Sequence, residues 1–336
     1  MNITVIGSGA WGTALALLLN ENGNKVSLWS YFESETQTMI ETDENPFLKG
    51  VLLNRALELT SDIRCVSGAD AIVLATPSFA VRETIRKIAP LIKSDVPVIS
   101  VSKGIERGSS LFLTEVITQE LGENARVAAL SGPSHAEEVG RNIPTAVVAA
   151  SADISLAELV QDLFMNERLR VYSTNDIVGV ELAGALKNVI ALCAGCCDGM
   201  GFGDNTAAML MTRGLAEIAR LGERLGGRRE TFAGLAGMGD LIVTCTSRHS
   251  RNRRAGVLIG SGVPAKEAMK QVGAVVEGYF AAASGFELAR NNRVEMPITE
   301  ATYNVLYNNY PIKETFSELM ARSKKHEVEE VWFEMR

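Results

Sequence analysis

The rhythm of hydrophobic and polar positions changes near residue 176. Before it, short apolar runs alternate with stretches of helical spacing: 2–6, 25–29, 71–75, 97–102, 126–130 and 145–150 read as strands, with a further short one at 169–173. Strands alternating with helices are the mark of repeated βαβ units around a parallel sheet. The later runs, Ala-Ile-Val-Leu-Ala and Thr-Ala-Val-Val-Ala-Ala, are almost continuously apolar, as strands covered by helices on both faces should be. After 176, long segments rich in Ala, Gly, Leu and Met keep helical spacing and break at Gly226-Gly227, Gly260-Ser261-Gly262, Asn291-Asn292 and Asn308-Asn309. The pattern predicts an α/β domain built on a doubly wound parallel sheet over residues 1–176, then an all-α domain over 177–336. The charge-rich end, 323–336, reads as a solvated terminal helix or a frayed tail.

A length of 336 residues fits two domains and leaves room for a sizeable core. With 33 Lys and Arg against 40 Asp and Glu, the net charge of −7 gives no general reason to expect nucleic acid or an anionic membrane as partner. No uninterrupted apolar segment approaches the ~20 residues that cross a bilayer, and the amino terminus lacks a basic signal region, so a cytoplasmic protein without membrane insertion is expected. The five cysteines are scattered as Cys65, Cys193, Cys196, Cys197 and Cys245. Cys193-Ala194-Gly195-Cys196-Cys197 has CxxC spacing, but no second such pair or nearby His completes a four-ligand site, so small buried helix residues are the better reading. His135, His249 and His326 show no metal-ligating spacing, and no metal is expected.

Chemistry enters with Gly7-Ser8-Gly9-Ala10-Trp11-Gly12, a GxGxxG that follows the first strand and opens a strongly helical run. In that context backbone N–H groups and the positive helix end face a dinucleotide pyrophosphate, which makes the domain Rossmann-like. An acidic residue is expected at the end of the second strand to hold the ribose 2′-hydroxyl. Ser30 and Tyr31 stand there instead, with Glu33 slightly beyond, and no Arg for a 2′-phosphate; both NADH and NADPH are allowed.

Ligands of such sheets bind beyond the carboxyl ends of the strands. Polar turns follow three of them, Thr76-Pro77-Ser78-Phe79, Ser102-Lys103-Gly104 and Ser131-Gly132-Pro133-Ser134-His135, with Lys103 the single cation. In the helical half Glu181, Gly184, Lys187 and Asn188 share one helix face by the three-and-four rule. A lysine there, desolvated and near a second cation, would titrate low enough for acid–base work; a snorkelling surface lysine is the alternative. Gly237-Met238-Gly239-Asp240 precedes Arg248-His249-Ser250-Arg251-Asn252-Arg253-Arg254, where Ser250 suits the N-cap of a helix beginning at Arg251, a good seat for a phosphate dianion. A solvated basic face is the bland alternative. A nucleic-acid patch is disfavoured because no aromatics interleave with the arginines.

The sequence resembles the NAD(P)-dependent glycerol-3-phosphate dehydrogenases, bacterial type, in GSGAWGTALA, SKGIE, SGPSHAEEV, VGVELAGALKNVIALCAG, DGMGFGDN, RGLAEIARLG, AGMGDLIVTCTSRHSRNRR, VVEGY and VEMPITEATYNVLY. The resemblance implies interconversion of dihydroxyacetone phosphate and sn-glycerol 3-phosphate with NADH or NADPH, supply of glycerophospholipid synthesis, and a homodimer. By residue it implies Lys187 as proton acceptor, Lys103 touching both nucleotide and substrate, and Asp240 orienting the lysine. Gly132, Ser134, Asp240, Ser250, Arg251 and Asn252 match substrate positions. Ala10, Trp11, Ala136, Arg251, Val275 and Glu277 match nucleotide positions beside Gly7, Gly9 and Gly12, and Tyr31 stands at the nucleotide position near the adenosine ribose where bacterial members often carry a basic or His residue. Two other readings stay open. A related hydroxy-acid dehydrogenase would share the glycine turn and the helix-borne lysine but not the phosphate-directed SRNRR segment. A non-catalytic nucleotide sensor would have no reason to gather Lys103, Lys187 and Asp240.

Overall fold

The computed structural model describes residues 1–324, 326 and 327. The rest of the 323–336 tail, Lys325 and 328–336, lies outside the described residues, and with it most of the expectation of a terminal helix.

Eight strands form one sheet: β1 (Asn2–Ile6), β2 (Lys25–Trp29), β3 (Glu58–Thr60), β4 (Ala71–Leu74), β5 (Val98–Ser100), β6 (Val127–Ser131), β7 (Thr145–Ala150) and β8 (Leu169–Thr174), in the order β3-β2-β1-β4-β5-β6-β7-β8. Side chains alternate between two apolar layers. Val73 and Ile3 point into one, while Ile72, Leu74 and Ile6 point into the other, and helices cover both. Burying each such side chain contributes about 1.5–3 kcal/mol.

Two features depart from the expected sheet. The three-residue edge strand β3 escapes detection because it is short and only partly covered. The pairing of β6 with β7 is antiparallel, with Ser131 opposite Val148, whereas every other neighbouring pair is parallel. A continuously apolar run looks the same in either direction, so the reversal leaves no trace in hydropathy.

From β8 the chain enters a 23-residue helix, Ile177–Gly199, capped by Asp176, whose carboxylate accepts from the N–H of Gly179 at 2.9 Å and of Arg228 at 2.8 Å. This helix is the axis of the helical half. It is long and apolar enough by composition to cross a membrane, at a mean hydropathy of 1.7, yet 83% of its most apolar window is buried inside the protein. The small-residue cluster has a packing reason: a Cβ on Gly195 would overlap the carbonyl of Arg253, and one on Gly256 that of Leu192. The helix Arg251–Gly260 therefore presses its backbone directly on the axis. Cys196 and Cys197 are buried beside this contact as free thiols, in keeping with the packing reading. Later helices end at Arg224, Gly260, Asn292 and Tyr307, at or just before the four expected breaks.

Candidate active site

Strand order reverses between β1 and β4, and the turn after β1 lies at that switch point. Gly7 adopts φ +113°, a region open to glycine, and a Cβ there would strike the carbonyl of Ala75; one on Gly12 would overlap the carbonyl of Gly7. A Cβ on Gly9, in contrast, would meet nothing within 4 Å. The turn is thus packed on its protein side and open on its outer side, where the first N–H groups of the helix Ala10–Glu21 lack intrahelical partners. The Trp11 indole N–H is buried without a hydrogen-bond partner. These features fit a dinucleotide pyrophosphate.

Beyond the carboxyl ends of β5 and β6, three charged groups converge from distant parts of the chain. Asp240, 1% exposed, accepts from Lys103 Nζ through Oδ2 at 2.7 Å and from Lys187 Nζ through Oδ1. It stands at the start of the helix Asp240–Thr246, directly after a π-helical turn, Leu235–Gly239. Lys103 also donates to the Gly132 carbonyl at 2.9 Å and to Ser134 Oγ at 3.4 Å. Lys187 donates to Thr244 Oγ1 at 2.7 Å. An ammonium has three donors, so Lys103 is saturated, while Lys187 keeps one N–H without an acceptor among the described residues.

At 6% exposure Lys187 is no snorkelling surface lysine. Burial pushes its pKa down to about 7, Asp240 opposes the fall, and Lys103 adds to it. Burial would raise Asp240, but its two ammonium partners outweigh that and hold the carboxyl below its usual range. Gly184 matters to this geometry because a Cβ there would crowd Ser131 Oγ at 2.8 Å, next to the stem of Lys103.

Other expected site residues form a second cluster. Ser250 caps the helix Arg251–Gly260 as expected, accepting from the Arg253 N–H at 3.2 Å. The Asn252 side chain donates to Asn188 Oδ1 and accepts from the Gly278 N–H, both at 2.8 Å, which ties that helix start to the axial helix. Glu277 Oε2 accepts from Ser78 Oγ at 2.7 Å, linking the loop after β4 to the helical half; burial raises this carboxyl and the charge of Arg251 opposes the rise. The basic run does not act as one cluster. Arg253 pairs with Asp198 at 2.8 Å, while Arg248, Arg251 and Arg254 are exposed. Val275 precedes Glu277 and is half-buried, and Ala136 opens the short helix Ala136–Val139. Tyr31 is 64% exposed, beside Trp29 and Phe32. Glu181, expected on the face of Lys187, instead accepts from the Thr114 N–H at 3.1 Å.

The sequence pointed to no role for Thr244, and it named Asn188 and Ser78 without their partners, Asn252 and Glu277. The signal for Thr244 was its i+4 spacing from Asp240 on one helix; the other two depend on contacts across the fold.

A mostly parallel sheet with a glycine turn at its switch point, together with a buried Lys187 and a half-buried Lys103 that share one carboxylate from the helical half, defines a dinucleotide-dependent oxidoreductase of the two-part kind. Residues 2–157 match the amino-terminal part, and residues 176–317 the carboxyl-terminal part, of the NAD-dependent glycerol-3-phosphate dehydrogenases, and the chain belongs to that family. It is 51% identical over 330 residues to glycerol-3-phosphate dehydrogenase [NAD(P)+] of Desulfitobacterium hafniense, covering 98% of this chain and 94% of the relative. It is 48% identical over 333 residues to the Bacillus subtilis enzyme of the same name, covering 98% and 96%. The crystal structure of glycerol-3-phosphate dehydrogenase from Coxiella burnetii superposes with a TM-score of 0.92 at 39% identity, covering 96% of this chain and 99% of that one.

Proposed function

We propose that Lys187 is the proton donor and acceptor of an NAD(P)-dependent oxidoreductase that interconverts dihydroxyacetone phosphate and sn-glycerol 3-phosphate. The observation that carries this role is the one N–H of Lys187 left without an acceptor beside a saturated Lys103 and a shared Asp240. When bound, the nicotinamide exchanges hydride with the C2 carbon of the substrate.

Lys187 gives its proton to the C2 oxygen during reduction and takes it back during oxidation. A pKa near 7 keeps both forms populated at neutral pH, the condition under which general acid–base catalysis works best. Lys103, pinned by three acceptors, contributes fixed positive charge to the developing alkoxide. Asp240 stays ionised and positions both ammonium groups, and Thr244 fixes a second direction of Lys187. Gly132 and Ser134 flank Lys103 at the substrate. The Arg251 guanidinium and the free N–H groups that follow Ser250 and include Asn252 receive the phosphate.

Gly7, Gly9, Ala10, Trp11 and Gly12 hold the pyrophosphate. Tyr31 lies toward the adenosine, and Lys103, Ala136, Arg251, Val275 and Glu277 complete the nucleotide side. Residues 1–176 act as the nucleotide domain and 177–336 as the substrate domain. Family resemblance supports a homodimer, a cytoplasmic setting without membrane insertion, and supply of glycerol 3-phosphate to glycerophospholipid synthesis.

The test follows absorbance of NADH and NADPH with dihydroxyacetone phosphate, with a non-phosphorylated 2-keto acid, and with neither. Oxidation confined to the phosphorylated substrate is expected. Turnover of the keto acid alone, or of nothing, overturns the reading. Arg251→Ala is expected to raise KM with a smaller change in kcat, as loss of a phosphate contact should.

A further inference from the structure

The carboxyl end of β2 carries a buried polar relay that involves an acidic residue outside the expected position. Ser8, the middle residue of the first Gly-x-Gly, donates through Oγ to Ser30 Oγ at 2.7 Å, and Ser30 Oγ donates to Glu35 Oε2 at 2.7 Å; Ser8 Oγ also lies 3.3 Å from that oxygen. Glu35 comes from the first turn of the next helix, Glu33–Thr42. Ser8 is 5% and Ser30 0% exposed, so the carboxylate is tied to the glycine turn through two buried hydroxyls. Its other oxygen, Oε1, has no hydrogen-bond partner among the described residues.

From this relay we infer that Glu35 reads the adenosine ribose and selects a dinucleotide with a free 2′-hydroxyl over one with a 2′-phosphate. The inference rests on the nucleotide-binding reading of the glycine turn. A ribose hydroxyl is a donor and needs an acceptor; Glu35 Oε1 offers one. A 2′-phosphate brings up to about two negative charges and needs donors, yet both serine protons are already committed within the relay, that of Ser8 to Ser30 and that of Ser30 to Glu35. The nearby cation, Lys87, is held by Glu83 at 2.7 Å and sits 5.6 Å from the Tyr31 ring centre. The acid that the usual fingerprint places at the end of the second strand is thus supplied from the following helix, and Ser30 connects it to the turn.

Binding measured without substrate separates this from catalysis. NADH and NADPH are titrated against the full chain by quenching of its tryptophan fluorescence, in parallel with thermal melting. NADH is expected to bind at least about tenfold more tightly than NADPH. Glu35→Gln, which keeps the shape and removes the charge, should shrink that ratio by strengthening NADPH binding, and Tyr31→Arg at the exposed rim should shrink it independently. Equal or tighter binding of NADPH by the unaltered chain overturns the inference. So does a Glu35→Gln ratio that stays fixed, including the case where both affinities and the melting temperature fall together, because that is the signature of a merely structural residue. Binding of neither dinucleotide overturns the nucleotide reading itself and the inference with it.

Discussion

Asp240 and Glu217 are carboxylates with almost no solvent contact, 1% and 3% exposed, yet they titrate in opposite directions. Glu217 accepts from the N–H groups of Ile298 at 2.8 Å and Thr299 at 3.3 Å, at the start of the helix Pro297–Tyr307. Burial pushes it up to about 7, against the pull of those bonds. Glu181 behaves alike, raised to about 7 by burial while it holds Thr114 in the first turn of the helix Leu113–Leu121. Asp240 has the same burial and falls, because two ammonium groups share its oxygens. A buried carboxylate with neutral N–H partners supplies the missing acceptor of a helix end. One with cations fixes charge where a reaction needs it. A large shift alone therefore does not distinguish a cap from a catalytic centre; the sign and the partner do.

The strongest break of this contrast is Lys187→Ala. It should lower kcat by about 10²–10⁴ with little change in melting temperature, since Asp240 keeps Lys103; a kcat near the original would return Lys187 to the structural group. Next, Asp240→Asn leaves two ammonium groups against a neutral amide. A loss of about 3–5 kcal/mol in urea unfolding is expected, together with a loss of turnover. A stability unchanged by that substitution would mean that Asp240 is not the partner that makes the lysine pair tolerable. The pH profile comes third. Reduction needs protonated Lys187, so its rate should hold below pH 7 and decline above about 7, with oxidation showing the opposite limb. A flat profile across that range would remove Lys187 as the titrating group.

Glu217→Gln is the smallest and most discriminating. A carboxyl raised from 4.5 to about 7 binds a proton in the folded chain that the unfolded chain has lost, so it makes stability fall as pH rises between those values. The amide should flatten that slope with at most about 1 kcal/mol of change at acid pH and no change in kcat. Asp240 contributes in the other sense: its depressed pKa adds stability above its ordinary 3.8 that is lost as pH falls below it. A kcat that dropped in Glu217→Gln would dissolve the distinction between the two carboxylates.

Residues whose role is set by their own backbone were legible from sequence. The glycine turn follows from steric demands at fixed spacing, Ser250 from the rule for N-caps, and the helix breaks from paired Gly and Asn. Lys187 and Asp240 were each picked out as candidates, but 53 residues separate them, and only packing of the axial helix against Asp240–Thr246 makes them a pair. The different duty of Glu181 was illegible for the same reason: its partner Thr114 lies 67 residues away. Glu35 escaped because its role depends on hydroxyls contributed by two other elements.

The antiparallel pairing of β6 with β7 has a mechanical consequence. Because β7 and β8 both run away from the glycine turn, the chain leaves the sheet at the edge opposite the ligands. There Ile177 and Val180 pack by Ala150, and by Gly184 the helix has reached Ser131, at the other edge. The first ten residues of the axial helix thus act as a ruler of about 15 Å that lifts Lys187 to Asp240. Its setting is coarse in length but strict in phase: adding one residue before Lys187 advances it only about 1.5 Å yet turns it by roughly 100°. Along this strut an insertion or deletion would turn Lys187 away from Asp240, and a side chain added at Gly179 or Gly184 would collide with Asp176 or Ser131, so both the spacing from Asp176 to Lys187 and its two glycines are held.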